Sequence, residues 1–261
     1  MPLPYPASDL SMPEPAPLSL RYDHFEARTD FDTHRHPWGQ LNRISLGLIE
    51  LDIAGLRLTA PADYLVWIPA DLPHAAHVRQ AMDYTSIYLS ATAAARLPAQ
   101  ACLIAQTPLV RALLDDFCQR RLSGMQDEWD VRQAELLIEH LARAGHQANF
   151  LPESQDRLLA PILHALRLAP DEASTLAQWA TRVHSTERTL ARRFQAELGM
   201  SFVQWRNRAR FVQALAWLKE GWPVQEIAAR LGYGTPSAFI AMFRKQAGFS
   251  PERYRRQLLA S

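Results

Sequence analysis

Apolar residues follow two different periods along this chain, and the change falls near residue 108. Between residues 18 and 90 they come in short alternating runs. LGLIELDIAG (46–55), LRLTAPADYLVWIPA (56–70) and DYTSIYLS (83–90) are rich in Leu, Ile, Val, Tyr and Trp and are broken by Gly, Pro and Asp. That is the pattern of strands, and at this spacing it predicts a sandwich or a small barrel. From Pro108 the spacing becomes helical. LVRALLDDFCQRRL and VRQAELLIEHLARA each gather their apolar residues on one face. They predict an antiparallel hairpin whose second face can pair with a copy of itself. ANFLPESQDR (148–157) interrupts the pattern, and ESQDRLLAPILHALRLAP carries a further helix, with Pro161 early enough to be tolerated.

The last third repeats itself. Ala180 answers Ala228 and Val183 answers Leu231, an offset of 48, whereas Leu190 answers Phe239, Phe194 answers Phe243 and Gly199 answers Gly248, an offset of 49. One residue has therefore been added inside the second turn. Two short amphipathic helices about a tight turn form a helix-turn-helix, whose second helix enters the DNA major groove. Between the two copies, SFVQWRNRARFVQALAWLKEG predicts one long helix with Phe202, Trp205, Ala209, Val212, Leu215 and Leu218 inward. Such a rod sets the two reading helices about one turn of DNA, ~34 Å, apart on one face. Arg206, Arg208 and Arg210 are either phosphate contacts or its wet side.

Composition sharpens this division. Lys and Arg number 28 against 27 Asp and Glu, but residues 171–261 hold 14 against 7, leaving 14 against 20 for residues 1–170. A basic C-terminal part suits a phosphate backbone. The two cysteines, Cys102 and Cys118, are too few for a disulfide scaffold in 261 residues. The proline-rich start has no basic stretch followed by an apolar core, so residues 1–17 read as a disordered tail and not a secretory signal. No apolar run reaches the ~18 residues of a membrane span, which points to a soluble, cytoplasmic protein with no membrane partner.

RTLARRFQAELGMSFVQWRNRARFVQAL followed by VQEIAARLGYGTPSAFIAMFRKQAGFSPERYR resembles the DNA-binding domain of the AraC/XylS family of bacterial transcription regulators. The likeness spans roughly residues 160–258 and includes the LGY-x-x-x-SAF run, the F-R-K-x-x-G turn and the S-P-x-x-Y-R ending. In the first copy Ser185 is the expected N-cap. Arg188, Ala191 and Arg192 then share the outer face opposite Leu190 and Phe194, and Arg193 falls at the rim or on a phosphate. Arg188 and Arg192 suit guanine O6/N7 or phosphate, and Ala191 suits a thymine methyl, unless the face is simply solvated. In the second copy Thr235 caps and Pro236 opens the helix, leaving Ser237, Ala238, Ile240 and Ala241 outward, with Arg244 and Lys245 a turn further on. Many relatives carry longer polar side chains there. The bare face implies reading of thymine methyls and DNA shape, with phosphate anchoring.

FDTHRHPWGQL places His34 and His36 two residues apart in an expected strand, on one face, with Gln40 and Gly47 following. It resembles the first cupin motif with Gln40 in place of the usual Glu. IPADLPHAAHV resembles the second, with Pro69 and His74 in place, Asp71 standing for its Gly and Val78 for its Asn. The resemblance implies a site for a divalent ion (Zn, Ni or Fe) on His34, His36, Gln40 and His74, or else a polar rim. His77 is a weaker substitute ligand, and His24 lies too early to place. Trp38, Tyr64, Trp67 and Tyr88 line an effector pocket for an aromatic or heterocyclic ligand, or are core.

The expected architecture is α+β. A disordered tail (1–17) precedes a cupin-like barrel (18–105), a helical dimerisation hairpin (106–150) and an all-α double helix-turn-helix domain (158–261). The resemblance implies a homodimeric, sequence-specific regulator that binds double-stranded DNA, answers a small molecule or metal, and is not an enzyme. HPWGQL resembles a subgroup that controls a neighbouring transporter gene. The alternatives are a metal-dependent cupin enzyme with a DNA-binding tail and a constitutive DNA binder without effector.

Overall fold

Alternation decides the first half of the chain because both faces of one sheet are covered. In the computed structural model, which describes residues 3–5, 15–45, 47–78 and 81–260, the chain forms two units, residues 1–150 and 151–261. The first contains β1 (Leu3–Tyr5), β2 (Leu18–Phe25), β3 (Thr29–Phe31), β4 (Gly39–Ile44), β5 (Leu48–Ile53), β6 (Leu56–Pro61), β7 (Tyr64–Ile68), β8 (His74–Val78) and β9 (Met82–Leu89). These are followed by α1 (Ala91–Ala94), β10 (Cys102–Ala105), α2 (Pro108–Gln119), α3 (Glu128–Arg143) and β11 (His146–Gln147). One sheet has the order β1-β3-β8-β5-β6 and the other β11-β10-β7-β4-β9-β2.

In the six-stranded sheet, Leu18, Leu20, Leu41, Leu65, Trp67, Ile87, Leu89, Cys102 and Ile104 point to one side. They share a core with Leu113, Leu114 and Phe117 of α2 and Ala134, Leu137, Ile138 and Leu141 of α3. Residues of the opposite parity on β2, β4 and β9, namely Arg21, Asp23, Gln40, Tyr84, Ser86 and Tyr88, line a cavity on the other side. Each fully buried Leu, Ile or Phe contributes about 1.5–3 kcal/mol, so the helix pair is held as part of the barrel's core. Gly39 serves this packing: a Cβ there would stand 2.3 Å from Cη2 of Trp67.

Four expectations change. Within the stretch expected to be a disordered tail, Leu3–Tyr5 pairs in parallel with Thr29–Phe31, at a sheet edge where Pro4 has no N–H to lose; residues 6–14 lie outside the described residues. The run at 56–70 divides into two strands, with the turn at Ala62–Asp63 passing the chain from β6 in one sheet to β7 in the other. The strand expected from Leu46 begins at Leu48, Leu46 itself lying outside the described residues. His34 and His36 sit in an extended connection between β3 and β4, held by a single bridge from His34 to His74.

The second unit contains α4 (Leu159–Leu168), α5 (Leu176–Arg182), α6 (Glu187–Leu198), α7 (Phe202–Lys219), α8 (Val224–Arg230), α9 (Pro236–Ala247) and α10 (Pro251–Ala260). Both turns reverse in the same way. Ser185 N–H donates to Ala180 O (2.8 Å) in the first, and Tyr233 N–H to Ala228 O (3.0 Å) in the second. The residue before each is left-handed, His184 at φ 50° and Gly232 at φ 73°. The added residue is Gly234, so the counterpart of Thr235 is Thr186. Thr186 caps α6, its hydroxyl accepting from Thr189 N–H, and Ser185 stays in the turn. The assignment of the cap to Ser185 was one residue early.

α7 is buried on different faces at its two ends. Phe202, Trp205 and Ala209 join the first helix-turn-helix core. Phe211 packs on Phe243 (5.0 Å between rings), with Ala214, Leu215 and Leu218 also buried, while Val212 is half-buried. Two of the arginines thought to be wet or phosphate-bound are internal struts. Arg210 is 6% exposed and donates from Nε to Pro170 O (2.8 Å), its guanidinium 5.1 Å from the Tyr233 ring. Arg206 donates to Ser174 O (3.2 Å), and burial lowers its pKa. The two guanidinium groups thus fasten the 170–174 loop to α7 through its carbonyls. Among the described residues, no helix is long and apolar enough to cross a membrane.

Gly232→Ala should cost more stability than Gly199→Ala. Both sites are left-handed, which costs a non-glycine residue about 1–2 kcal/mol. A Cβ at Gly232 would in addition lie 2.8 Å from the Asp171 carbonyl, whereas none of the surroundings lies within 4 Å at Gly199. Urea denaturation of the two variants measures the difference; equal losses would show that the Asp171 contact is slack.

Candidate functional site

The cavity of the first unit carries its chemistry at one end. The ligand atoms of His34, His36 and His74 lie within 4.8 Å of one another. His34 and His74 are fixed by a reciprocal pair of backbone bonds, His34 N–H to His74 O (3.0 Å) and His74 N–H to His34 O (2.9 Å). His36 O accepts from Asp71 N–H (2.9 Å), and Asp71 has φ 62°, the conformation for which the cupin motif keeps glycine.

Each ring is oriented by its own Nδ1. In His34 it faces Asp32 O (2.9 Å), in His36 Trp38 O (2.8 Å) and in His74 Leu72 O (2.8 Å). A carbonyl only accepts, so Nδ1 carries the proton and Nε2 of a neutral ring keeps its lone pair. Burial holds His36 below its ordinary pKa and pushes His74 down to about 4, favouring the neutral rings. Among the described residues, Nε2 of His74 is buried without a partner. Nε2 of His36 lies 2.6 Å from Oε1 of Gln40, whose Nε2 donates to Asn42 Oδ1 (2.6 Å). In that orientation two acceptors face each other, a contact that a shared cation relieves. Turning both amides over lets Gln40 donate to His36 and gives the Asn42 amide nitrogen, which has no partner, a bond to Gln40.

The cavity has a volume of about 40 Å³. At ~10–15 Å³ per water this admits an ion with a few small ligand atoms. Of the four aromatic residues expected to line a pocket, Tyr88 does. Trp38 lies behind the site, stacked on His36 with ring centroids 5.6 Å apart. Trp67 is turned to the helix side, where Nε1–H donates to Pro98 O (2.8 Å), and Tyr64 packs on Phe150. For Trp67 the expectation fails because alternation alone does not say which parity faces inward; Tyr64 has the other parity but stands at the start of β7, where Phe150 covers it. Arg21, Asp23, Tyr84 and Ser86 were missed; their signal was polar residues at every second position of β2 and β9. His77, on the opposite face of β8, is held between Asp30 and Asp52 (2.8 Å each), and the hydrogen bond to Asp30 raises its pKa. His24 is exposed beside Asp83.

In the second unit, ion pairing separates structural arginines from available ones. Arg167, Arg182, Arg193, Arg230 and Arg255 have carboxylate partners. Arg193 is bound to Asp156, whose carboxylate also accepts from the N–H groups of Leu158 and Leu159, so this half-buried guanidinium at the rim ties α6 to the start of α4. Arg188 and Arg192, with Ala191 between them, are exposed on α6, as is Gln195. On α9 Pro236, Ser237, Ala238, Ala241, Arg244 and Lys245 are exposed and Ile240 is half-exposed. By the offset of 49, Gln195 is the counterpart of Arg244, a match available in the sequence and overlooked there.

Two family models divide the chain: one described as an AraC-like ligand binding domain matches residues 19–177, and one described as a helix-turn-helix domain matches residues 179–257. The chain belongs to the AraC/XylS family of transcription regulators. It is 31% identical over 221 residues to the HTH-type transcriptional regulator NimR of Escherichia coli (strain K12), covering 85% of this chain and 81% of that protein. To the HTH-type transcriptional activator RhaR of Yersinia pseudotuberculosis serotype O:1b it is 28% identical over 148 residues, 53% of this chain and 50% of the relative. A crystal structure of ToxT from Vibrio cholerae O395 aligns over 94% of this chain and 99% of its own, with 12% identity and a TM-score of 0.41. The protein is thus a DNA-binding transcription regulator of the AraC type, with a ligand-binding domain and a helix-turn-helix domain.

Arg192→Ala should weaken binding to the specific operator by about 1–3 kcal/mol, if it contacts a base, without lowering the melting temperature. Arg193→Ala should do the reverse, lowering stability through loss of the Asp156 tie. Fluorescence anisotropy with operator and unrelated DNA, beside thermal melts, separates the two; equal loss on both DNAs would make Arg192 a phosphate contact.

Proposed function

We propose that this regulator reads DNA with unequal helices and senses a divalent transition metal, alone or with a small molecule bound to it, in the barrel. The observation that carries the sensing half is the triad itself. Three imidazoles are oriented by carbonyls at Nδ1, and the buried Nε2 of His74 has no partner. Three neutral nitrogen donors suit Zn, Ni or Fe, and Gln40 offers a neutral oxygen where a carboxylate would be usual. A bound cation would join the connection carrying His34 and His36 to β8 carrying His74. The amides of Gln40 and Asn42 would turn according to whether His36 gives its lone pair to a cation or receives a proton from Gln40.

On the DNA side, the exposed guanidinium groups of Arg188 and Arg192 support base readout by α6, and the short side chains of α9 support thymine methyls and shape, with Arg244 and Lys245 on phosphates. Homodimerisation is supported by α3, which leaves Trp129 63% and Leu136 41% exposed. An antiparallel crossing of two α3 helices near Leu136 would set Glu128 and Arg132 of one copy against Glu139 and Arg143 of the other. A regulator acting in the cytoplasm, with no catalytic role, fits this reading, and the subgroup resemblance around HPWGQL supports control of a neighbouring transporter gene.

Protein purified without a histidine tag should retain close to one equivalent of a transition metal by mass spectrometry, and His36→Ala or His74→Ala should lose it. An unloaded wild-type protein that takes up no Zn, Ni or Fe on dialysis would sink the metal reading. Trp129→Glu should turn a dimer into a monomer by sedimentation. DNA from beside the protein's own gene should be retarded specifically in a gel shift, and its failure to shift would remove the neighbouring-gene assignment.

A further inference from the structure

β2 serves two surfaces at once. Arg21, Asp23 and Phe25 line the cavity, where Arg21 Nε stands 3.0 Å from Asp23 Oδ2. Leu18 and Leu20 point the other way, into the helix-facing core, and Tyr22 packs against that core from between Arg21 and Asp23. The Tyr22 hydroxyl reaches two carbonyls, Phe117 O at 3.0 Å and Leu122 O at 2.9 Å, and shares its proton between them. Burial pushes its pKa up to about 12, so it stays a donor.

Those carbonyls belong to the segment that ends α2. Leu122 N–H also donates to Phe117 O (3.1 Å), the six-to-one bond that closes a helix, with Arg121 left-handed at φ 54°. A non-glycine residue holds that conformation only with support. The Arg121 guanidinium lies over the Tyr22 ring, 5.2 Å from its centre. β2 is the edge strand of its sheet, and its edge continues onto the same segment. Leu20 N–H donates to Ser123 O (3.0 Å), and Ser19 bridges Gly124. On the far side Arg120 donates to Asp130 Oδ1 (2.6 Å) and Gln133 Oε1 (2.9 Å), which tie the connection to the first turns of α3.

We infer that Tyr22 is a positioning residue that transmits the state of the sensor cavity, through β2, to the α2–α3 connection. The inference rests on the reading of this cavity as the sensing site. Arg21 and Asp23 flank Tyr22, and alternate residues of a strand share one rigid backbone. Any ligand that displaces the two cavity residues therefore shifts the hydroxyl between them. β9 is paired on both sides and is less free to move, whereas β2 is paired on one side with β9 and on the other with the α2–α3 connection alone. A ligand changes the connection only so far as it binds one arrangement better than the other. Physical coupling of this kind is shown by a thermodynamic cycle, not by proximity.

The test is hydrogen exchange of backbone amides 120–124 in the full-length protein. Without metal, Asp23→Asn loosens the cavity side of β2. It should speed exchange there at least about fivefold when Tyr22 is present and less than about twofold in combination with Tyr22→Phe. If Asp23→Asn does not fold, Asp23→Glu takes its place. Equal acceleration with and without the hydroxyl, or none in either, overturns the inference. In a second comparison Zn²⁺ is titrated into the wild-type protein and Tyr22→Phe. Both should bind with the same affinity, and only the wild-type protein should change its exchange at 120–124. Binding without any change there overturns the inference. Absence of Zn²⁺ uptake overturns the metal reading instead and leaves the first comparison to decide the coupling.

Discussion

A sheet with two buried faces is the constraint from which the sensor unit follows. Leu41, Trp67 and Ile87 are each 0–1% exposed because helices cover them, while Gln40, Ser86 and Tyr88, next to them in sequence or register, face the cavity. A one-residue slip would put apolar side chains in the polar cavity and amides against the helices, so the register is specified on both sides. Gly39 marks how tight this is, since Trp67 fills the space a side chain would need. The histidines inherit their geometry from the same frame: their rings are aimed by carbonyls that the strand ends hold in place.

In the DNA-binding unit the comparable role falls to α7. Its two ends belong to two cores, and Arg206 and Arg210 hold the loop that leads into α5. Arg210 satisfies Pro170 O and stacks on Tyr233, and Gly232 allows the second turn to come against Asp171. The two helix-turn-helix copies are thus joined through a buried guanidinium as well as through the rod itself. Breaking such a buried group's bonds is expensive because the charge remains behind.

Much of this was legible in the sequence. The repeat gave both helix-turn-helix units, and the change of offset from 48 to 49 already contained the correct cap: Thr235 minus 49 is Thr186, not Ser185. The histidine triad was legible because an H-x-H pair and a spaced third histidine make a sparse pattern. The parity of β7 was not, since alternation fixes two faces without naming them, and Trp67 went to the wrong one. Arg206 and Arg210 differ from the expectation for a related reason, and the Asp156 tie of Arg193 was equally invisible. A basic residue on a helix looks the same in sequence whether it meets phosphate, water or a carbonyl brought in from another part of the chain. Asp156 and the 170–174 loop, which decide these cases, are remote from them in sequence.

The burial of the triad bears on time as well as on affinity. His36 and His74 are 2% and 3% exposed, and His34 is only partly so. An ion held there could be approached by solvent or a competing chelator from one side alone, and would leave only as that wall loosened. If this site holds the ion that the regulator senses, as proposed, such a sensor would be slow to forget: its output would follow the recent history of its ligand more closely than the concentration of the moment.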